Sequence, residues 1–153
     1  MAEDVTYSGT VAAAIEGSTM GIPSMAVSNT DPDNKKSYQI AARFTARLAK
    51  RFKELILPPR TFLNINFPKL KNDQMPEYRF TGLGQRTYKD IIIKKTDPRG
   101  KDYYWIAGEA VWESIKGTDY DAISGGFISI SALKMNFSDT ETIAKLRELK
   151  LKL

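Results

Sequence analysis

The most regular hydrophobic pattern of the chain lies in residues 35–56. Apolar side chains recur there every three or four positions, while most of the Arg and Lys residues fall outside that stripe. The spacing predicts an amphipathic helix whose apolar face consists mainly of Ala41, Phe44, Leu48, Phe52 and Leu55. Pro58 and Pro59 follow and end the helix, because proline cannot continue it. The basic face is interpreted as solvent-exposed.

Three further elements are predicted in the first half of the chain. Ser8 or a neighbour caps a helix of about ten residues, which ends near Gly17 or Gly21. The apolar run 22–28 and the alternating segment 61–68 predict two strands. The order helix, strand, helix, strand is typical of a parallel sheet with crossover helices, whose opening strands we expect to be missing from this chain.

The second half predicts mostly β structure. Strand character in 77–88 is interrupted by two glycines, and 126–133 is a further strand. Two β-rich runs over 89–112 flank the turn sequence 97–100, which indicates a hairpin. Residues 139–153 carry apolar side chains at helical spacing and predict a terminal helix.

The hairpin carries many apolar side chains for a surface ribbon, among them Ile91, Ile93, Tyr103 and Trp105. A lone hairpin is marginally stable in water, and exposed apolar patches usually mark interfaces. We therefore predict a homo-oligomer, a dimer or a tetramer; the alternative is a monomer whose hairpin folds back on the helix at 36–56. Four aromatic residues could instead stack a base, although packing of the hairpin is favoured: Tyr103, Tyr104, Trp105 and Trp112.

Composition narrows the function classes. The length of 153 residues fits about one domain. The sequence has neither Cys nor His, which excludes disulfides, thiolate chemistry and a Ser-His-Asp arrangement within this chain. A net charge of +5, from 23 basic and 18 acidic residues, is too modest to predict nucleic acid binding. No apolar run is long enough for a membrane span and no secretory leader is present, so we expect a cytoplasmic protein.

Ser8, Gly9 and Thr10 form the strongest candidate site, an anion-binding turn at the start of the first helix. A helix N-terminus presents free N–H groups and a partial positive charge. Gly9 leaves room for an anion, and the two hydroxyls add donors. The alternative, favoured for an arbitrary Ser-Gly-Thr sequence, is a plain helix cap. The turn is not a Walker P-loop, since it lacks the Lys and the glycine spacing of that motif.

The acidic residues give no metal site by their spacing. Asp119 and Asp121 lie on one strand face or in a turn, but two carboxylates are a weak ligand signal, and a structural role is favoured. On the residues alone, the chain is an α/β domain with a candidate anion pocket and a projecting hairpin, and its chemistry stays open.

Several segments, in this order and near this spacing, resemble the SurE family, the stationary-phase survival proteins. They cover almost the whole chain: EDVTYSGTVAAAIEG, GIPSMAVS, FLNINFP, TGLGQRTY, DPRGKDYYWIAGE and GTDYDAISGGFISISAL. The resemblance implies a metal-dependent phosphatase acting on nucleoside 5'- or 3'-monophosphates. It also implies a Rossmann-like three-layer α/β core with an extended hairpin for oligomerisation. It favours phosphate binding by Ser8, Gly9 and Thr10.

The chain resembles only the last two thirds of the family. The resemblance implies that the family holds Mg or Mn with an Asp-Asp pair, a Ser and an Asn in a S-G-I-N segment, none of which has a counterpart here. We therefore expect one incomplete domain over 1–153 that binds no metal and is inactive on its own. Its parts are a core remnant at 1–75 and a β-rich part at 76–153, with the hairpin at 89–112 and the final helix. The alternative is a non-catalytic oligomerisation or anion-binding module.

Overall fold

The computed structural model describes residues 1–149, except for the side chains at 88–90 and 107–110. The predicted end of the terminal helix, residues 150–153, lies outside the described residues. The helices in the described part are α1 (Gly9–Thr19), α2 (Lys35–Lys50), α3 (Asp119–Ser124) and α4 (Thr140–Glu148). Its strands are β1 (Met25–Asn29), β2 (Thr61–Phe67), β3 (Tyr78–Phe80), β4 (Arg86–Thr96), β5 (Asp102–Trp112) and β6 (Ile128–Lys134). Two 3-10 helices, Ala2–Tyr7 and Phe52–Leu55, precede α1 and follow α2.

Four of the strands form one mixed sheet in the order β1-β2-β6-β3. Strands β1 and β2 are parallel, as their connection through α2 predicts. Strand β6 runs antiparallel to β2 and parallel to β3, so the sheet as a whole is mixed. The parallel arrangement predicted for the first half of the chain is confirmed for β1 and β2. Since β3 is parallel to β6, it runs antiparallel to β2. The chain therefore reverses direction after β2, and β3 starts at the edge of the sheet where β2 ends.

Helices α1 and α2 cover opposite faces of the sheet. On one face, Leu63, Ile65 and Phe67 of β2 form a buried cluster with Ala41 of α2. On the other face, Phe62 is buried in a cluster with Val11 and Ala14 of α1 and Ala26 of β1. The three layers follow from the period of two in a strand, which sends alternate side chains to opposite faces. The mixed α/β class predicted from the sequence is confirmed, while the expectation of missing first strands stays a prediction.

Two helical segments differ from the sequence prediction. Helix α2 ends at Lys50, and the apolar stripe continues through the 3-10 helix Phe52–Leu55. Ile56 then takes a left-handed backbone conformation with φ of 40° before the two prolines. Helix α3 was not predicted, because Thr118 caps only six residues, too few to show a helical period.

The hairpin of β4 and β5 has the predicted turn, with register pairs that include Ile93 with Trp105 and Lys95 with Tyr103. It exposes apolar side chains on both faces; Ile92 is 68% exposed on one face and Trp105 is 59% exposed on the other. These side chains are therefore not covered by α2, which was the alternative considered from the sequence. Among the described helices, none is long and apolar enough to cross a membrane.

Candidate anion-binding site

Helix α1 begins with an N-cap at Ser8, whose backbone is extended. The Ser8 hydroxyl oxygen accepts the N–H of Val11 at 3.3 Å, and the Ser8 carbonyl accepts the N–H of Ala12 at 2.8 Å. The N–H groups of Gly9 and Thr10 have no acceptor among the described residues, as is usual in the first turn of a helix. These two N–H groups, at the positive end of α1, are therefore available to donate hydrogen bonds to a ligand.

The surface at Gly9 is open. A Cβ atom built at Gly9 would meet no other atom of the described residues within 4 Å, and both Gly9 and Thr10 are exposed. The absence of a side chain at Gly9 is thus not required by packing within the chain. Without a side chain at Gly9, the backbone N–H groups stay accessible, so that a phosphate can approach them closely.

The Ser8–Thr10 turn lies at the carboxyl edge of the parallel strand pair. Helix α1 joins β1 through a short connection and packs on β1 and β2, so it runs antiparallel to both strands. Its N-terminus therefore points to the edge where β1 and β2 end. In open α/β sheets this edge is where ligands bind, because helix N-termini and loops converge there.

The Ala2–Tyr7 segment that leads into Ser8 is attached to the second half of the chain at two points. The N–H of Ala2 donates to the Asp119 carboxylate at 2.7 Å. The Asp4 carboxylate forms an ion pair with Arg86 at the base of the hairpin, and both side chains are about three-quarters buried (24% and 23% exposed). Both contacts join residues far apart in sequence, so the position of the turn depends on the C-terminal half.

The aromatic residues at the base of the hairpin pack against each other. The Trp112 ring stacks on Tyr120 of α3 with centroids 4.6 Å apart and planes 2° from parallel. The Arg86 guanidinium lies 4.6 Å from the centre of the same Trp112 ring. Trp112 thus has the packing role that the sequence favoured over base stacking, whereas Tyr103, Tyr104 and Trp105 are exposed on β5.

The paired acids of the sequence lie in the first turn of α3, not on a strand. Asp121 accepts the N–H of Gly117 at 3.0 Å, and the buried Asp119 accepts three backbone N–H groups. Across the described residues, no group of three or more His, Cys, Asp or Glu side chains could hold a metal ion. The described residues do not fit the divalent metal that the resemblance implies, since the carboxylates of Asp119 and Asp121 already accept backbone N–H groups.

A sequence profile described as "Survival protein SurE" matches residues 1–90. The chain belongs to the SurE family. Similar relatives include the protein named 5'-nucleotidase SurE of Geobacter metallireducens, 40% identical over 148 residues, which cover 96% of this chain and 59% of that protein. The protein of the same name from Symbiobacterium thermophilum is 39% identical over 146 residues, covering 95% of this chain and 57% of its own. The chain thus spans less than two thirds of the length of these relatives.

A solved SurE structure supports the same fold. The crystal structure of the SurE protein from Aquifex aeolicus superposes with a TM-score of 0.76 at 36% identity, over 97% of this chain and 61% of that chain. The structure therefore confirms the SurE-like α/β fold. The Ser8–Thr10 turn lies inside the segment matched by the family profile.

Sequence reasoning found the turn but missed what holds it. For Asp119 a structural role was favoured over a metal ligand, but no partner was predicted for it; Gly84 was considered only as an interruption of a strand, and Arg86 was given no role. The local signal for Asp119 was its place directly after the helix cap Thr118, where acidic residues are common. No local pattern indicates that its carboxylate reaches Ala2.

Substitutions of Ser8 separate its capping role from any ligand role. We expect Ser8→Ala to lower the free energy of unfolding by about 1 kcal/mol, because the N–H of Val11 loses its acceptor. Ser8→Asp should keep the cap and hence the stability, since Asp caps as well as Ser. Urea unfolding measures both changes, provided that the dependence of the free energy of unfolding on urea concentration is the same in all variants. Ser138→Ala, at an exposed position just before α4, is the matched control, and an equal effect of Ser8→Ala and Ser138→Ala would contradict the capping assignment.

Proposed function

We propose that this chain carries the phosphate-binding turn of a nucleotidase that hydrolyses nucleoside 5'- or 3'-monophosphates to nucleoside and inorganic phosphate. The observation that carries the proposal is the start of α1, where two N–H groups without acceptors flank an unobstructed Gly9. The names of the relatives support the reaction class, since they are 5'-nucleotidases. The nucleotidase assignment concerns the whole protein of the family, of which this chain spans a part.

The chain's own contribution is binding and orientation. The N–H groups of Gly9 and Thr10 would donate to phosphate oxygens, and the partial positive charge of the α1 N-terminus would attract the dianion. The Thr10 hydroxyl adds a further donor from an exposed position. Such fixed donors bind the ground-state phosphate and also oppose the charge that develops on its oxygens during transfer.

The resemblance implies a divalent metal, Mg or Mn, which would polarise a phosphoryl oxygen or activate water. The described residues of this chain do not supply a ligand set for it. A second candidate function is a non-catalytic anion-binding or oligomerisation module. The exposed apolar hairpin favours the oligomerisation part of that alternative.

Phosphate binding is tested by nitrogen–proton correlation NMR of the 153-residue chain titrated with inorganic phosphate. We expect the Gly9, Thr10 and Val11 amide signals to shift in a saturable way. Ser8→Asp should weaken binding at least about tenfold, or about 1.4 kcal/mol, because a carboxylate at the helix start repels the anion while the cap is kept. Ser138→Asp adds the same charge elsewhere and should leave the affinity unchanged. A wild-type titration that leaves Gly9 and Thr10 unmoved would exclude the site.

We expect the chain alone not to release phosphate from nucleoside monophosphates at a rate typical of the family. The reason is that the metal ligands implied by the resemblance have no counterpart in this sequence. Phosphate release by the purified chain with Mg or Mn, measured with and without a chelator, checks this expectation. Release that depends on metal and disappears with the chelator would overturn it.

We propose that the chain forms a homo-oligomer, a dimer or a tetramer, through the β4–β5 hairpin. The hairpin exposes apolar and aromatic side chains on both faces, with Trp105 59% exposed and Ile92 68% exposed. Aromatic residues are enriched at the centres of interfaces, and a second copy with the same ribbon offers a self-complementary surface. The cytoplasmic location and the division at residues 75 and 76 also remain predictions.

Light scattering at micromolar concentration tests the assembly. We expect a mass at least twice the 17.2 kDa of one chain. Ile92→Lys should dissociate the assembly because it places a charge in the apolar ribbon. Ile56→Lys, an equally non-conservative change at a site 90% exposed outside the hairpin, should not. A wild-type chain that is monodisperse at the monomer mass would contradict the proposal.

A further inference from the structure

The carboxylate of Asp119 joins three segments that are distant in sequence. One oxygen, Oδ2, accepts the N–H of Ala2 at 2.7 Å, and the other, Oδ1, accepts the N–H groups of Gly84 at 2.9 Å and Tyr120 at 2.8 Å. Asp119 has no exposed surface, and the same is true of Ala2. A buried carboxylate with three backbone donors is a strong and directional attachment, because each bond is charge-assisted and lies away from water.

We propose that Asp119 is the positioning residue of the phosphate-binding turn, an inference that rests on the proposed phosphate site at Ser8–Thr10. Among the described residues, the Asp119 carboxylate makes no hydrogen bond to the turn itself. It holds Ala2, and the Ala2–Tyr7 segment delivers the chain to Ser8. The position of the α1 N-terminus relative to the sheet edge therefore depends on this bond, together with the ion pair of Asp4 with Arg86.

The backbone at Ala2 shows why the bond matters. Ala2 has a φ of 52°, in the left-handed region that residues with a Cβ rarely adopt. The segment that follows is a 3-10 helix, whose hydrogen bonds have poorer geometry than those of an α-helix. Neither conformation is favoured on its own, so an external contact has to hold the segment. The bond from Ala2 to Asp119 and the ion pair of Asp4 with Arg86 are such contacts.

The other side of the carboxylate is held in place as well. A Cβ atom at Gly84 would lie 3.1 Å from Asp119 Oδ1, which is tighter than ordinary contact. The N–H of Asp119 also donates to the Gly82 carbonyl at 2.9 Å, which fixes the start of α3 to the same segment. A glycine at position 84 therefore leaves room for Oδ1 to accept the N–H groups of Gly84 and Tyr120, and these bonds keep Oδ2 at the position of the Ala2 N–H.

Asp119→Asn changes this arrangement selectively. The single amide oxygen of Asn can take the place of Oδ1 and keep the donors of Gly84 and Tyr120. Its NH2 group then faces the N–H of Ala2, so a donor meets a donor and that bond is lost. Asp121→Asn is the matched control, because Asp121 lies in the same helical turn but its carboxylate accepts the N–H of Gly117 and makes no hydrogen bond to the Ala2–Tyr7 segment among the described residues.

The experiment is the phosphate titration by NMR on the full chain with Met1 retained, so that Ala2 keeps its peptide N–H. We expect Asp119→Asn to raise the phosphate Kd at least about tenfold, to speed amide hydrogen exchange in the Ala2–Tyr7 segment, and to leave exchange within α1 unchanged. Asp121→Asn should match wild type in Kd. Urea unfolding is measured in parallel, since a merely structural role would lower the unfolding midpoint without changing the Kd of the folded form.

Gly84→Ala gives an independent variant in which the carboxylate is intact but displaced, and it replaces Asp119→Asn if that variant does not fold. We expect the same loss of phosphate affinity from it. A wild-type chain that binds phosphate, together with variants that bind it equally well, would overturn the positioning role of Asp119. A wild-type chain whose Gly9 and Thr10 signals do not respond would contradict the proposed phosphate site instead.

Discussion

Strand β2 is buried on both of its faces, and the rest of the chain is arranged around that burial. It is paired on both edges, with β1 and with β6. Leu63, Ile65 and Phe67 need cover on one face and Phe62 on the other, and α2 and α1 provide it. Helix α1 covers the face of Phe62 and then joins the start of β1 through a short connection, so its first turn lies at the carboxyl edge, where the candidate site is.

The polar residues of the buried sheet connect the core to that site. Asn64 and Asn66 lie on the face of Phe62 and are opposite Ser131 and Ser129, all of them buried. The two serine hydroxyls hydrogen-bond the Thr81 hydroxyl at 2.9 Å and 2.8 Å, which holds the chain after β3 against β6. Buried hydroxyls without such partners would cost stability. By holding Thr81, the same bonds place the residues after it so that the N–H of Gly84 donates to the Asp119 carboxylate.

The candidate site is thus assembled from both halves of the chain. The donors come from the start of α1, while the contacts that hold the preceding segment come from α3 and from the base of the hairpin. The hairpin therefore has two roles in the proposal. Its base, with Arg86 and Trp112, supports the turn, and its exposed part is available to a second copy. Substitutions in the exposed part should consequently change assembly without moving the turn.

Local patterns were sufficient for most of the helices and strands, although not for α3, and for the turn itself. The 3.6-residue spacing of α2, the cap at Ser8 and the turn at 97–100 depend on neighbours in sequence, and each was predicted close to its place. Only the tertiary structure decided that β6 runs antiparallel to β2, that Asn64 and Asn66 of β2 are buried, and that the Asp119 carboxylate accepts the N–H of Ala2. These features depend on contacts between residues up to 117 positions apart, and hydrophobic periodicity carries no information about which distant segment a buried polar group will meet.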